Sequence, residues 1–202
     1  MIVPRVFHRI WLGSALPKKY KKYGRTWKKH HPSWEMKLWT ERNLPDDLLN
    51  MNCLELCNNY SEQSDVLRYS LLYKYGGVYI DTDFENYKNI EPLLSKLDIF
   101  ASSEDNYHIC GGFMGSTPEH PIIKRLINLI PTTLKSTMNQ PSDHRIGPKF
   151  VTENISWDEI TVLPREYFYP YLPNVFRSIQ IQDKADSRKT AFAAHHWAKS
   201  WG

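Results

Sequence analysis

The stretch Gly76-Gly77-Val78-Tyr79-Ile80-Asp81-Thr82-Asp83, preceded by Ser64-Asp65-Val66-Leu67-Arg68-Tyr69, decides the fold, because it reads as a helix, a glycine break and a strand ending in two carboxylates. Ser64 reads as an N-cap, residues Asp65 to Tyr75 contain no strong helix breaker, and the two glycines supply the freedom that ends a helix. On that helix Asp65, Arg68 and Leu72 share a stripe, so a charged pair lies beside a residue that wants the core. In the strand, Val78, Ile80 and Thr82 face one side while Tyr79, Asp81 and Asp83 face the other. Both carboxylates therefore share a side at the carboxyl end of a strand, the edge where open α/β sheets bind ligands. Two like charges so close repel unless a cation or an arginine lies between them. Mg²⁺ and Mn²⁺ suit such oxygen ligands and complete their shells with water and substrate phosphates.

Asp-x-Asp alone is also a common polar turn. Its context is more specific. Ser64-Asp65-x-x-Arg68, then Leu72-Tyr73-x-x-Gly76-Gly77-x-Tyr79-x-Asp81-x-Asp83, resembles the signature of the glycosyltransferases containing the DXD sugar-binding motif, glycosyltransferase family 32. The resemblance extends to Pro4 to Gly13, to Trp27, His31-Pro32-x-Trp34 and Lys37-Leu38-Trp39, and to Phe168-Tyr169-Pro170 and His195-His196-Trp197-x-x-Ser200-Trp201. It implies a glycosyltransferase type A fold, an α/β Rossmann-like single domain over residues 1–202 with a mixed, mostly parallel sheet. It also implies retaining transfer of a hexose from a UDP- or GDP-linked donor to a saccharide or lipid-linked saccharide, as in capsular polysaccharide or other glycan synthesis, with Mn²⁺ or Mg²⁺ as cofactor.

The resemblance distributes roles as follows. Asp81 and Asp83 are the catalytic carboxylates. Trp11, Asp65, Arg68, Asp81, Ser200 and Trp201 are expected around the donor, with Trp11 stacking on its base. Asp83 with His195 or His196 is expected on the metal, and only one of two neighbouring histidines in a strand can face it. Arg68 offers a bidentate fork and Asp65 accepts hydroxyl protons. The chain departs from the family at His108-Ile109-Cys110-Gly111-Gly112-Phe113-Met114, where an asparagine is common, so the resemblance assigns no sugar contact there. Glu104 and Asp105 read as an exposed acidic loop, and Gly147-Pro148 carries no assigned chemistry. Family members commonly continue beyond the motif that precedes Gly202. A nucleotide-sugar hydrolase and a catalytically silent carbohydrate-binding protein are the alternative functions.

With 202 residues, 41% hydrophobic and 24% charged, the composition is that of one globular domain with a substantial core. No run approaches the roughly 18 apolar residues needed to span a bilayer. The N-terminus lacks a signal peptide's apolar segment, which points to the cytoplasm. Cys53, Cys57 and Cys110 cannot all pair and read as reduced packing residues. The net charge is only +4, yet seven basic residues lie between Lys18 and Lys29, interleaved with Tyr20, Tyr23 and Trp27. As a helix this segment puts its aromatics on one face and its cations elsewhere. It is either a solvated face over an aromatic stripe or a contact for an anionic membrane surface at its inner face. No nucleic-acid motif accompanies it.

The remaining pattern predicts strands over Val3 to Trp11, Glu35 to Trp39, Gly77 to Thr82, Asp98 to Ser102, Gly112 to Ser116 and Thr161 to Leu163. Helices are predicted over Lys18 to His30, Leu48 to Asn58, Asp65 to Tyr75 and His120 to Ser136. Ser136 to Arg145 reads as a mobile loop on the acceptor side.

Overall fold

The computed structural model describes residues 2–171 and 188–198. Six strands form one sheet, β1 (Val6–Ile10), β2 (Glu35–Trp39), β3 (Gly77–Ile80), β5 (Ile99–Ser103), β6 (Ile109–Ser116) and β7 (Thr161–Leu163), in the order β2-β1-β3-β6-β5-β7. β1, β2 and β3 pair in parallel, as do β5 and β7, and β6 alone runs the other way. The intervening β4 (Phe84–Asn86) leaves this sheet and pairs antiparallel with β8 (Ala193–His195).

Alternation along β3 splits the core. Tyr79 joins Leu67, Leu71 and the apolar stripe of Ile123, Leu126, Ile127 and Ile130 on one face, beneath helices α2 (Tyr60–Tyr75) and α3 (Pro121–Ser136). Val78 and Ile80 join Phe7, Trp27, Phe84, Phe113 and Phe168 on the other, beneath α1 (Lys18–His30). The product is a sheet covered on both faces, which is why the central strand carries no polar alternation before Asp81. In α1, Tyr20, Tyr23 and Trp27 are buried as the spacing requires, and the seven basic side chains are exposed.

The strand expected over Gly77 to Thr82 ends at Ile80, the one expected over Gly112 to Ser116 begins at Ile109, and β4 and β8 lie outside the expected strands; three further elements also differ from the sequence reading. The helix before the glycines begins at Tyr60 rather than at Asp65, because Asn59 is the cap: its side chain accepts from the Glu62 N–H, while the Glu62 carboxylate accepts from the Asn58 N–H. Ser64 lies inside the helix, donating its hydroxyl to the Ser61 carbonyl. The helix expected over Leu48 to Asn58 is a single 3₁₀ segment, Met51–Leu56, entered through Asn50 at φ 61°. The expected mobile loop contains α4 (Ser142–Arg145) and is anchored by Arg145, which is fully buried, pairs with Glu62 and donates to the carbonyls of Leu56 (3.0 Å) and Leu134 (3.1 Å). A buried arginine holds its segment because losing its partners would strand a charge out of water.

At the helix-to-strand junction Gly76 has φ +61° and Gly77 φ +91°, and a Cβ on Gly77 would lie 2.5 Å from Val6 Cγ1. The pair therefore ends α2 and also lets β3 enter beside β1.

Candidate active site

β3 ends at Ile80, and the next three residues turn away from the sheet as Asp81-Thr82-Asp83. The turn is held from several sides. Arg9, on β1, is 4% exposed and donates to the Thr82 carbonyl (2.7 Å) and to the Tyr20 carbonyl of α1 (2.9 Å). One buried guanidinium thus joins the middle of the Asp-Thr-Asp turn to two other elements. Burial pushes Arg9 down from its ordinary value to about 10, with Asp83 opposing.

Asp81 is fixed by the Tyr79 hydroxyl (2.9 Å) and by Arg68 (3.2 Å). Arg68 also pairs with Asp65 at 2.7 Å and lies over the Tyr79 ring. Burial pushes the Asp65 carboxyl up against the pull of Arg68, and Arg68 stays charged because two carboxylates face it. The floor beneath these groups is the Gly111-Gly112 segment of β6. A Cβ on Gly111 would lie 2.8 Å from Arg68 Nη1, and one on Gly112 would lie 2.6 Å from Asp81 Oδ2. Both positions need glycine for side-chain clearance.

The other half of the site arrives from the far end of the chain. β8 pairs with β4 so that His195 stands opposite Phe84, directly after the two carboxylates. His195 Nε2 is 3.0 Å from Asp83 Oδ1 and 3.6 Å from Asp81 Oδ2. Asp83 Oδ2 accepts from the Ala198 N–H at 2.9 Å. Burial alone would lower His195, but Asp83 and Asp81 hold it up to about 10, and the same pairing, against burial, holds Asp83 down to about 2. His195 Nε2 therefore stands between the carboxylates, at the place where a cation would relieve their repulsion.

His196 faces elsewhere: its Nε2 is 3.2 Å from Glu85, and its ring stacks on Tyr23 at 4.4 Å. Of the two histidines, His195 is the one beside Asp81 and Asp83. Asp81, Asp83 and His195 bring one ligand atom each within 4.8 Å of one another. His195 Nδ1 is buried without a hydrogen-bond partner among the described residues. Two carboxylate oxygens and one imidazole nitrogen, held by side-chain contacts before any ion arrives, suit Mn²⁺ or Mg²⁺.

Trp11 is buried, tilted against Tyr20 at 5.1 Å, with its indole N–H toward Ser14 Oγ at 3.2 Å. Ser14 lines a neighbouring cavity of about 620 Å³. Trp11, Tyr20 and Tyr23 pack with Leu16, Leu38 and Ala198, so the cavity wall touches the segment that contacts Asp83. Ser200 and Trp201 lie outside the described residues. Glu104 and Asp105 are half-buried rather than exposed, and burial pushes the Glu104 carboxyl up beside Cys110. The three cysteines are unpaired. Sequence reasoning passed over Arg9, Tyr79 and the Gly111-Gly112 floor. Arg9 was legible only as a cation inside an apolar strand, and the glycines only as the place where a family asparagine was missing.

The glycosyltransferase sugar-binding region containing DXD motif matches residues 17–100. An inositol phosphoceramide mannosyltransferase of Schizosaccharomyces pombe is 29% identical over 135 residues, 62% of this chain and 42% of that protein. The chain spans about two-fifths of the length of the curated relatives it matches. Among solved structures, the PaToxG glycosyltransferase superposes with a TM-score of 0.62 at 17% identity, covering 78% of this chain and 70% of that one. The glycosyltransferase domain of the YGT toxin gives 0.60 at 10% identity, covering 93% and 89%. At such identities the likeness speaks to architecture, which is the glycosyltransferase type A fold. The match ends at residue 100, within β5, while the site also draws on β6 and β8; the fold is that of the type A glycosyltransferases, and residues 17–100 are similar to the glycosyltransferase sugar-binding region containing the DXD motif.

Proposed function

We propose that the chain is a metal-dependent, retaining hexosyltransferase that uses a nucleotide diphosphate sugar. The observation that carries this reading is the convergence of Asp81, Asp83 and His195 beside the buried Asp65 and Arg68 pair. Asp83 and His195 would hold Mn²⁺ or Mg²⁺, with Asp81 supporting it and meeting donor hydroxyls. A cation bound there supplies positive charge facing the departing diphosphate.

The chain's own residues do the positioning. Arg68 fixes Asp81 and keeps a guanidinium beside it from the middle of α2. Tyr79 donates its hydroxyl proton to Asp81 and so keeps that carboxylate oriented. Arg9 holds the turn from beneath. The anomeric C–O bond breaks as the acceptor oxygen approaches the same face of the sugar, and the acceptor proton passes to the departing diphosphate. We read residues 1–202 as one transferase domain working in the cytoplasm.

The acceptor is read as a saccharide or a lipid-linked saccharide. A relative named for mannosyl transfer to inositol phosphoceramide makes mannose the first hexose to test. The exposed cations of α1 suit contact with an anionic membrane surface, each worth about 1 kcal/mol near such lipid. No helix among the described residues is long and apolar enough to cross a membrane.

The test is thermal stability of the native chain and of Asp83→Ala with Mn²⁺ and a panel of UDP- and GDP-sugars. Metal-dependent stabilisation of the native chain, lost in Asp83→Ala, is expected. Absence of stabilisation by every nucleotide sugar refutes the transferase reading, and equal turnover with and without acceptor moves it to hydrolysis.

A further inference from the structure

The cavity beside Trp11 lies where the parallel strands β1 and β2 end, which is the ligand edge of an α/β sheet. Its volume of about 620 Å³ is in the range of nucleoside and drug-sized sites. The aromatic surface it offers is Tyr60, the first residue of α2, a residue that is 44% exposed and whose ring lies against the Gly13 backbone. Gly13 has φ +81°, and a Cβ there would lie 2.3 Å from the Tyr60 ring, so the loop after β1 is shaped to admit that ring. Base-on-aromatic stacking is worth about 1 to 3 kcal/mol and works for any base.

Discrimination comes from the polar wall. Glu41 and Arg42 both line the cavity. They sit in a turn braced by Asn43, whose side chain accepts from the Thr40 N–H (2.7 Å) and donates to the Leu38 carbonyl (3.0 Å). Glu41 Oε1 accepts from the Gly13 N–H, which ties the carboxylate to the loop after β1. A carboxylate accepts and cannot donate. Guanine alone among the common bases presents two adjacent donors, N1–H and the 2-amino group, and its O6 and N7 form the acceptor pair that an arginine fork reads. Uracil presents one N–H flanked by two carbonyl oxygens, which a carboxylate repels.

We propose that this cavity is the base subsite of the donor and that Glu41, with Arg42, selects guanine, stacked against Tyr60. The proposal rests on the nucleotide-sugar reading above and goes beyond it by naming the base and the residues that choose it. Within it, Trp11 is a wall behind the loop, and the stacking surface passes to Tyr60.

The experiment is calorimetric titration of the full chain with GDP, UDP, ADP and CDP at fixed Mn²⁺, repeated for Glu41→Gln. Glutamine keeps an acceptor for the Gly13 N–H and turns a donor toward the base. GDP is expected to bind native protein at least about tenfold more tightly than UDP, and Glu41→Gln to erase that preference, with GDP bound more weakly and UDP bound no more weakly than by the native protein. UDP binding as tightly as GDP, or a GDP preference that survives Glu41→Gln, overturns the guanine assignment and leaves the nucleotide-sugar reading standing. No metal-dependent binding of any nucleoside diphosphate overturns both.

Discussion

Gly112→Ala tests whether the geometry under the carboxylates matters. The added Cβ would lie 2.6 Å from Asp81 Oδ2, whereas ordinary contact begins at 3.4 Å, so the carboxylate must retreat by about 0.8 Å, the difference of the two. A free aspartate would do this at little cost. Asp81 is not free, because Tyr79 holds it at 2.9 Å and Arg68 at 3.2 Å, and the Tyr169 hydroxyl would stand 2.9 Å from the same Cβ. Overpacking of this kind costs about 1 to 3 kcal/mol of stability, and a displacement near 1 Å in a catalytic group can cost about a hundredfold in rate. We expect Gly112→Ala to stay folded, to lose about 1 to 3 kcal/mol in urea unfolding, and to bind Mn²⁺ about tenfold to a hundredfold more weakly by calorimetric titration. Gly115→Ala separates site from scaffold, since its Cβ would strike the Phe100 ring at 2.4 Å, away from the carboxylates. It should lose stability and keep its metal affinity. If Gly112→Ala binds Mn²⁺ within twofold of the native protein, the argument for a tightly bounded Asp81 is wrong.

Arg9→Lys keeps the charge but shortens the side chain whose Nη2 donates to both Thr82 and Tyr20, so it should cost about 1 to 3 kcal/mol and weaken metal binding together; unchanged metal affinity would show that the turn holds itself. Arg145→Met should cost about 3 to 5 kcal/mol by stranding the buried Glu62 carboxylate, and Glu62→Gln added to it should recover much of the loss in chemical denaturation. His8 accepts from the Trp39 indole and donates to the Gly76 carbonyl, which fixes a neutral ring. Burial lowers its pKa from 6.5 to about 4. Only the unfolded chain then binds that proton between those values, so His8 contributes a stability loss of about 1.4 kcal/mol per pH unit as pH falls through this window, about 3 kcal/mol in all. Denaturation midpoints of native and His8→Gln proteins across pH 4.5 to 7 would check the slope, and identical slopes would refute it.

The legible parts of the sequence were those with short-range physical signatures. The α1 aromatics repeat at helical spacing, the glycine pair marks the turn into β3, and alternation puts Tyr79 on one face with Val78 and Ile80 on the other, although the strand ends before Asp81. The start of α2 was misplaced because Ser64 is as good a cap in isolation as Asn59, and only the reach of Glu62 back to Asn58 separates them. The segment through Arg145 read as a polar loop because its anchor, Glu62, lies 83 residues away. Arg9 is hidden because its partners, 11 and 73 residues away, are backbone carbonyls that carry no sequence signal. Which histidine faces the carboxylates depended on the register of β8 against β4, which no local pattern encodes.

The central claim is that Asp81, Asp83 and His195 form one divalent-cation site that works against a nucleotide diphosphate. It is tested most directly by titrating Mn²⁺ into the native chain, Asp83→Asn and His195→Gln, following the signal of free Mn²⁺ by electron paramagnetic resonance with and without a nucleoside diphosphate. The account predicts one site per chain in the native protein, tightened by the diphosphate and weakened at least about tenfold in each variant. Native and variant chains that bind Mn²⁺ equally, or a native site indifferent to the diphosphate, would contradict it.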